Sequence, residues 1–122
     1  MKLVIKGRLP GLNDYISAER SNRHQAAKMK RDTEGAIILL ARLQLKKVTC
    51  PVVMHYVWYE PDRRRDKDNI AFAKKFIQDA LVKAGILKND GWAQIYGFTD
   101  AFRVDPENPR VEVEIKEAPR EI

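Results

Sequence analysis

The stretch from Pro61 to Gly91, PDRRRDKDNIAFAKKFIQDALVKAGILKNDG, constrains the fold more than any other part of the chain. It places a strongly periodic segment between a basic run holding two carboxylates and a later carboxylate. Ile70, Ala73, Ile77, Ala80, Leu81 and Ala84 recur at steps of three and four. At ~100° per residue they share one side of an α-helix. Asp68 or Asn69 is placed to cap its free amides, and Gly85 to end it in a left-handed conformation. The opposite stripe is Asp68, Phe72, Lys75 and Asp79. One side of this helix seeks a core, and the other carries charge back towards Asp68.

The acids suggest chemistry. Asp66 and Asp68 are two residues apart, so an extended strand end points both the same way. Two carboxylates held together repel unless a cation lies between them. Magnesium suits such a pair, because it takes a few carboxylates, keeps several waters and binds phosphate oxygens. Asp90 is placed to complete the cluster once the helix folds back. Arg63, Arg64, Arg65 and Lys67 supply positive charge for a polyanion. The plain alternative is a helix cap and a solvated loop acid beside a solvated charge run, and residue types alone leave both open. A calcium loop of the EF-hand type is excluded by Ile70 at the third ligand position and by a missing glycine. One cysteine and two distant histidines make a poor zinc set.

The segment DRRRDKDNIAFAKKFIQDALVKAGILKNDG resembles the RusA family of crossover-junction (Holliday junction) endodeoxyribonucleases. The resemblance is carried by a basic run, Asp-x-Asp-Asn, a helix with Asp-Ala-Leu, then Lys-Ala-Gly and an acid. It covers about a quarter of the chain closely. It extends loosely to the first strand and to the Pro-x-x-Asn turn at Pro10 to Asn13. It implies that Asp66, Asp68 and Asp90 bind magnesium, with manganese as a substitute, and that Asn69 stands beside them. It implies a homodimer that resolves four-way, branched DNA by paired symmetric nicks, leaving a 5′-phosphate and a 3′-hydroxyl. The family's helix lysine matches Lys75 when the alignment is anchored downstream and falls on Phe72 when it is anchored upstream, because this chain is about one turn longer after Asp68-Asn69; Lys74 is the alternative to Lys75. Where the family often has two acids, this chain has Asn89-Asp90, which leaves one metal ion or two open. The catalytic set is then Asp66, Asp68, Asp90 and Lys75. The DNA-contacting set is Arg63, Arg64, Arg65, Lys67, Asn69 and Lys74. A role in recombination or repair, often from a prophage, is what the resemblance implies. Two rivals stand beside it: a non-catalytic basic DNA-binding module, and a nuclease cutting branched or flapped DNA without junction preference.

The remainder of the chain supplies the frame. With 122 residues, 44% hydrophobic and 33% charged, residues 1–122 read as one globular domain. A net charge of +6 favours an acidic partner such as nucleic acid. A lone cysteine fits a reducing compartment. The alternating start shows no leader pattern and no run approaches a membrane span, so a cytoplasmic location is expected. Lys2–Arg8 predicts a strand, Leu9–Tyr15 a turn, and Ser21 to Leu45 a long helix. That helix has Ala26, Met29, Thr33, Ala36, Ile37, Leu40 and Leu43 in rhythm and a basic first half. Val48–Tyr59 predicts an inner strand, apolar on both faces. Trp92–Arg103 and Arg110–Lys116 predict two more strands joined by a turn, and 118–122 a frayed tail. Trp92 and Tyr96 suit either base stacking or packing. The expected fold is α+β, a mixed sheet with two helices on one face, in the order β-α-β-α-β-β.

Overall fold

Alternation along the strands sets the sheet. Lys2–Lys6 (β1), Val52–Glu60 (β2), Ile95–Val104 (β3) and Arg110–Glu117 (β4) form one mixed sheet in the order β1-β4-β2-β3. The structure is a computed structural model and describes residues 1–119. Most of the tail expected at 118–122 lies outside the described residues. β4 runs antiparallel to β1 and β2, while β2 and β3 are parallel. Register lines up Leu3 with Val113 and Ile5 with Val111, and sets Met54, Tyr56 and Trp58 against Ile115, Val113 and Val111. These side chains form one buried, apolar face.

Helices cover that face. Leu12–Ser21 is α1, Arg23–Gln44 is α2, Lys67–Ala71 is α3 and Lys74–Lys83 is α4. Ile37 and Ala41 of α2, with Phe76, Ile77, Ala80 and Leu81 of α4, complete a core shared with the sheet. Fully burying one such side chain contributes about 1.5–3 kcal/mol, so the layer is held by its own greasy stripe. The α+β class and the single helical face are as expected. Among the described residues no helix is long and apolar enough to cross a membrane.

The order is richer than expected: β-α-α-β-α-α-β-β, with four helical segments instead of two. The residues read as a turn begin α1. The Gly11 amide donates to the Asp14 carboxylate at 2.8 Å, the N-terminal acid device of a helix start. Tyr15 then lays its ring 5.6 Å from Phe72. The helix after the acids breaks at Phe72–Ala73. There the amides of Ala73 and Lys75 bond only three residues back, at 3.2 and 3.0 Å, the tighter 3₁₀ pattern. Its end is as expected. Gly85 has φ +79°, and the amides of Gly85 and Ile86 bond Val82 and Leu81 at 3.1 and 3.0 Å, a Schellman motif.

α2 is rotated from the expected seam. It buries Ala26, Glu34, Ile37 and Ala41, while Leu43 is 84% exposed. A buried Glu34 within that stripe pairs with Lys83 on α4. The last two strands are joined in sequence yet flank β2 on opposite sides. β2 is inner, as predicted. Its second face is half-buried, carrying contacts such as His55 Nδ1 to Thr99 Oγ1 at 2.7 Å.

Candidate functional site

Parallel pairing of β2 and β3 makes the site. Glu60 lies opposite Val104, so both strands end at the same edge of the sheet. The crossover through α3 and α4 leaves β2 there, and α3 starts above it. Ligand sites in sheets with such crossovers collect outside the carboxyl ends of strands. Here that position is an open cleft of about 900 Å³, lined by Glu60, Asp62, Arg63, Arg65, Asp66, Lys67, Asp68, Ile70, Phe102, Arg103 and Val104.

Two polar clamps hold the acidic loop. Arg65 turns inward and binds both oxygens of Glu60, at 3.0 and 2.9 Å, and the Leu9 carbonyl at 3.1 Å. Arg8 adds a third contact to Glu60 at 3.1 Å. The Glu60 side chain is only 8% exposed, so its charge is compensated by two guanidinium groups. Asn69 is buried, and its Oδ1 accepts from the Asn13 amide at 2.9 Å. A methyl on Gly11 would meet that Oδ1 at 2.5 Å, so the loop before α1 and the start of α3 are locked face to face. Arg65 and Asn69, both expected among the DNA-contacting residues, are thus placed inward as braces. Arg63, Arg64 and Lys67 remain exposed.

Asp66 is the residue before α3 and Asp68 lies in its first turn. Both side chains are exposed and both line the cleft. The cations around them are turned elsewhere: Arg65 to Glu60, Arg64 to Asp62 at 3.6 Å, and Lys67 over the Phe102 ring at 5.7 Å. Among the described residues no lysine or arginine pairs with Asp66 or Asp68. Asp68 Oδ1 accepts from the adjacent Asn69 amide at 2.9 Å. Two carboxylates without counter-charges, in a cleft lined by four acids and four basic side chains, are a hard-oxygen donor set that fits a magnesium-like ion.

Asp90 does not join them here. Its Oδ2 lies 4.0 Å from Lys75 Nζ, which binds Asp79 at 3.0 Å. Among the described residues no three His, Cys, Asp or Glu side chains are grouped to hold a metal ion. The expected meeting of three acids is therefore absent from this structure, where Asp90 has Lys75 as its neighbour instead. The hydrogen bond from Lys75 to Asp79, reinforced by the charges of Asp79 and Asp90, raises the ammonium pKa above its ordinary value.

The two candidate lysines diverge. Lys75 is exposed and faces Asp79 and Asp90. Lys74 reaches β3, where it pairs with Asp100 and lies 4.7 Å from the Phe98 ring and 5.6 Å from Tyr56. Reading along the chain missed Phe102 and Arg103, because only the parallel pairing brings β3 to the acids. Trp92 and Tyr96 line a separate hollow with Pro51 and Glu117.

The family model described as endodeoxyribonuclease RusA matches residues 13–116, which include Asn13, Glu60, Arg65, Asn69, the acids and β3. Curated proteins return no match to the chain.

Proposed function

The chain belongs to the RusA endodeoxyribonuclease family, a family of junction-resolving nucleases, and from that premise we propose that it is a divalent-metal-dependent endonuclease resolving four-way DNA junctions. One observation carries the reading beyond the family: Asp66 and Asp68 stand without counter-ions inside a cleft rimmed by Arg63, Lys67 and Arg103. An acid pair with arginine and lysine side chains beside it suits a phosphate backbone delivered together with a cation.

Asp66 and Asp68 would hold the ion, and Asp90 is the third proposed ligand. Its link to Lys75 is long and solvated, so little opposes exchange for a divalent cation. When bound, such an ion neutralises phosphate charge and supplies a water of lowered pKa. The chain's own residues do the rest. Arg63, Lys67 and Arg103 bind phosphates and orient the backbone more than they read sequence. Arg65 and Asn69 hold the loop so that the two carboxylates keep their spacing. Lys75, kept charged by Asp79, offsets negative charge developing on the phosphate. Paired cuts in a junction of near two-fold symmetry call for two matched sites, hence a homodimer.

The test is incubation with synthetic four-way, flap and linear DNA, with and without magnesium. Symmetric paired nicks confined to the four-way substrate and dependent on the ion are expected. Asp68→Asn should lower cutting by at least about 10²-fold, the scale of losing one charge-stabilising group, while junction binding persists. Binding without any magnesium-dependent cutting would favour a DNA-binding module instead. Equal cutting of flaps would remove the junction preference.

A further inference from the structure

The cleft does not end at the acids. Its floor continues along β3, which sits at the sheet edge and packs extensively against β2 alone. Register sets Phe98 against Met54 and Phe102 against Trp58, so both rings stand on the helix-bearing face, Phe102 half-buried against the core and Phe98 exposed. Phe98 is 51% exposed and Phe102 lines the cleft itself. Each ring has a cation beside it: Lys74 at 4.7 Å from Phe98 and Lys67 at 5.7 Å from Phe102. Between the rings, Asp100 is neutralised by Lys74 and by the Trp58 indole, which donates to it at 2.8 Å. The strip is therefore aromatic and basic, with its one acid already compensated.

We infer that Phe98 and Phe102 form a stacking track for unpaired nucleobases leading away from the acid cleft. The choice of DNA as the polymer rests on the nuclease reading. Bases in a duplex have both faces covered by neighbours, so only a nucleotide outside the stack offers a free face to these rings. At about 3.3 Å per strand residue, rings four residues apart are separated by about 13 Å. That exceeds the ~3.4 Å step of one strand in a duplex, so the two rings take separate bases. Lys67 and the exposed Arg103 suit this occupant, because phosphates satisfy them, whereas an apolar protein surface would leave both desolvated. The acids then act on a phosphate beside an opened branch point.

The experiment is binding of a dye-labelled oligothymidylate, read by anisotropy without divalent cations. Phe98→Leu and Phe102→Leu should each weaken binding about 5- to 100-fold, the range of one base–aromatic stack, and Phe102→Trp should restore it. Denaturant unfolding of each variant checks that the fold persists. Should Phe102→Leu fail to fold, the half-exposed Phe98→Leu carries the test. Wild-type affinity in the leucine variants, or no binding by the wild type, overturns the track. So does a change from dimer to monomer in light scattering, which would make this strip an interface between copies. Magnesium-dependent junction cutting with unaltered oligothymidylate binding would sink the track and leave the nuclease standing. Track binding without cutting would do the reverse.

Discussion

Gly11 and Asn69 constrain each other across 58 residues of chain. The Asn69 carbonyl oxygen occupies the space where a side chain at 11 would begin, and the Asn69 backbone oxygen is also close, at 2.9 Å. Gly11→Ala should therefore destabilise the fold by about 1–3 kcal/mol, the usual cost of overpacking, measurable as a lower urea midpoint. Asn69→Ala should relieve the clash only in part, because the backbone oxygen stays, so the double variant will not recover wild-type stability. Lysine identity can be settled at the same scale. Lys75→Met should reduce kcat with little change in junction affinity, since Lys75 faces Asp79 and Asp90. Lys74→Met should weaken oligothymidylate binding instead, since Lys74 lies over Phe98. Equal kinetic profiles for the two variants would contradict this division. The Asp-x-Asp-Asn spacing was legible in the chain, yet the brace made by Asn69 was not, because its partner is the distant amide of Asn13.

Between elements, α2 and α4 meet through an unusual pair. Glu34 is 2% exposed, its Oε1 lacks a hydrogen-bond partner, and Lys83 holds its other oxygen. Lys30 stands 3.9 Å from Glu34 and 3.6 Å from Asp79, so the contact continues towards Lys75. Lys83→Met should cost about 1–3 kcal/mol, because a buried acceptor loses its donor. Replacing Glu34 and Lys83 together by leucine and methionine should restore much of that loss, as buried ion pairs often yield to apolar packing. Denaturant melts of the single and double variants check both statements. On the opposite sheet face, Glu112 sits between Lys2 and Arg110, at 2.6 and 2.7 Å. Those cations hold its pKa below the ordinary 4.5, with the Lys2 hydrogen bond the largest cause. A depressed carboxylate stabilises the fold above its unfolded pKa and loses that effect as pH falls through the folded value. Stability should thus decline below about pH 4.5, and Glu112→Gln should flatten that part of a pH series of melts.

For the molecule as a whole, charge and topology set how DNA is met. With 23 lysines and arginines against 17 acids, affinity should fall steeply with salt. Arg63 is exposed at the cleft rim, so Arg63→Ala should reduce the slope of log affinity against log salt by about 1, without changing preference among sequences. An unchanged slope would remove Arg63 from the phosphate contacts. The crossover between β2 and β3 gathers residues from two strand ends and one helix start into a single cleft, and no single element could build it. Lengthening that connection would leave the core intact and still misplace Asp66 and Asp68.

Local pattern alone specified the strand alternation, the greasy stripe of α4 with its Gly85 stop, the acid pair and the basic run, since each depends on neighbours a few residues away. It also carried the family resemblance that the match over residues 13–116 bears out. Tertiary structure decided the rest. Arg65 and Asn69 turn inward because Glu60 and Asn13 wait for them, and Leu43 is left outside because α2 buries Ala26, Glu34, Ile37 and Ala41 instead. Asp90 lies beside Lys75 of α4 and is not grouped with the other two acids. β3 enters the cleft because it pairs in parallel beyond β2. Each outcome is a contact between residues far apart in sequence, and the energy of such a contact exists only once the chain has closed on itself.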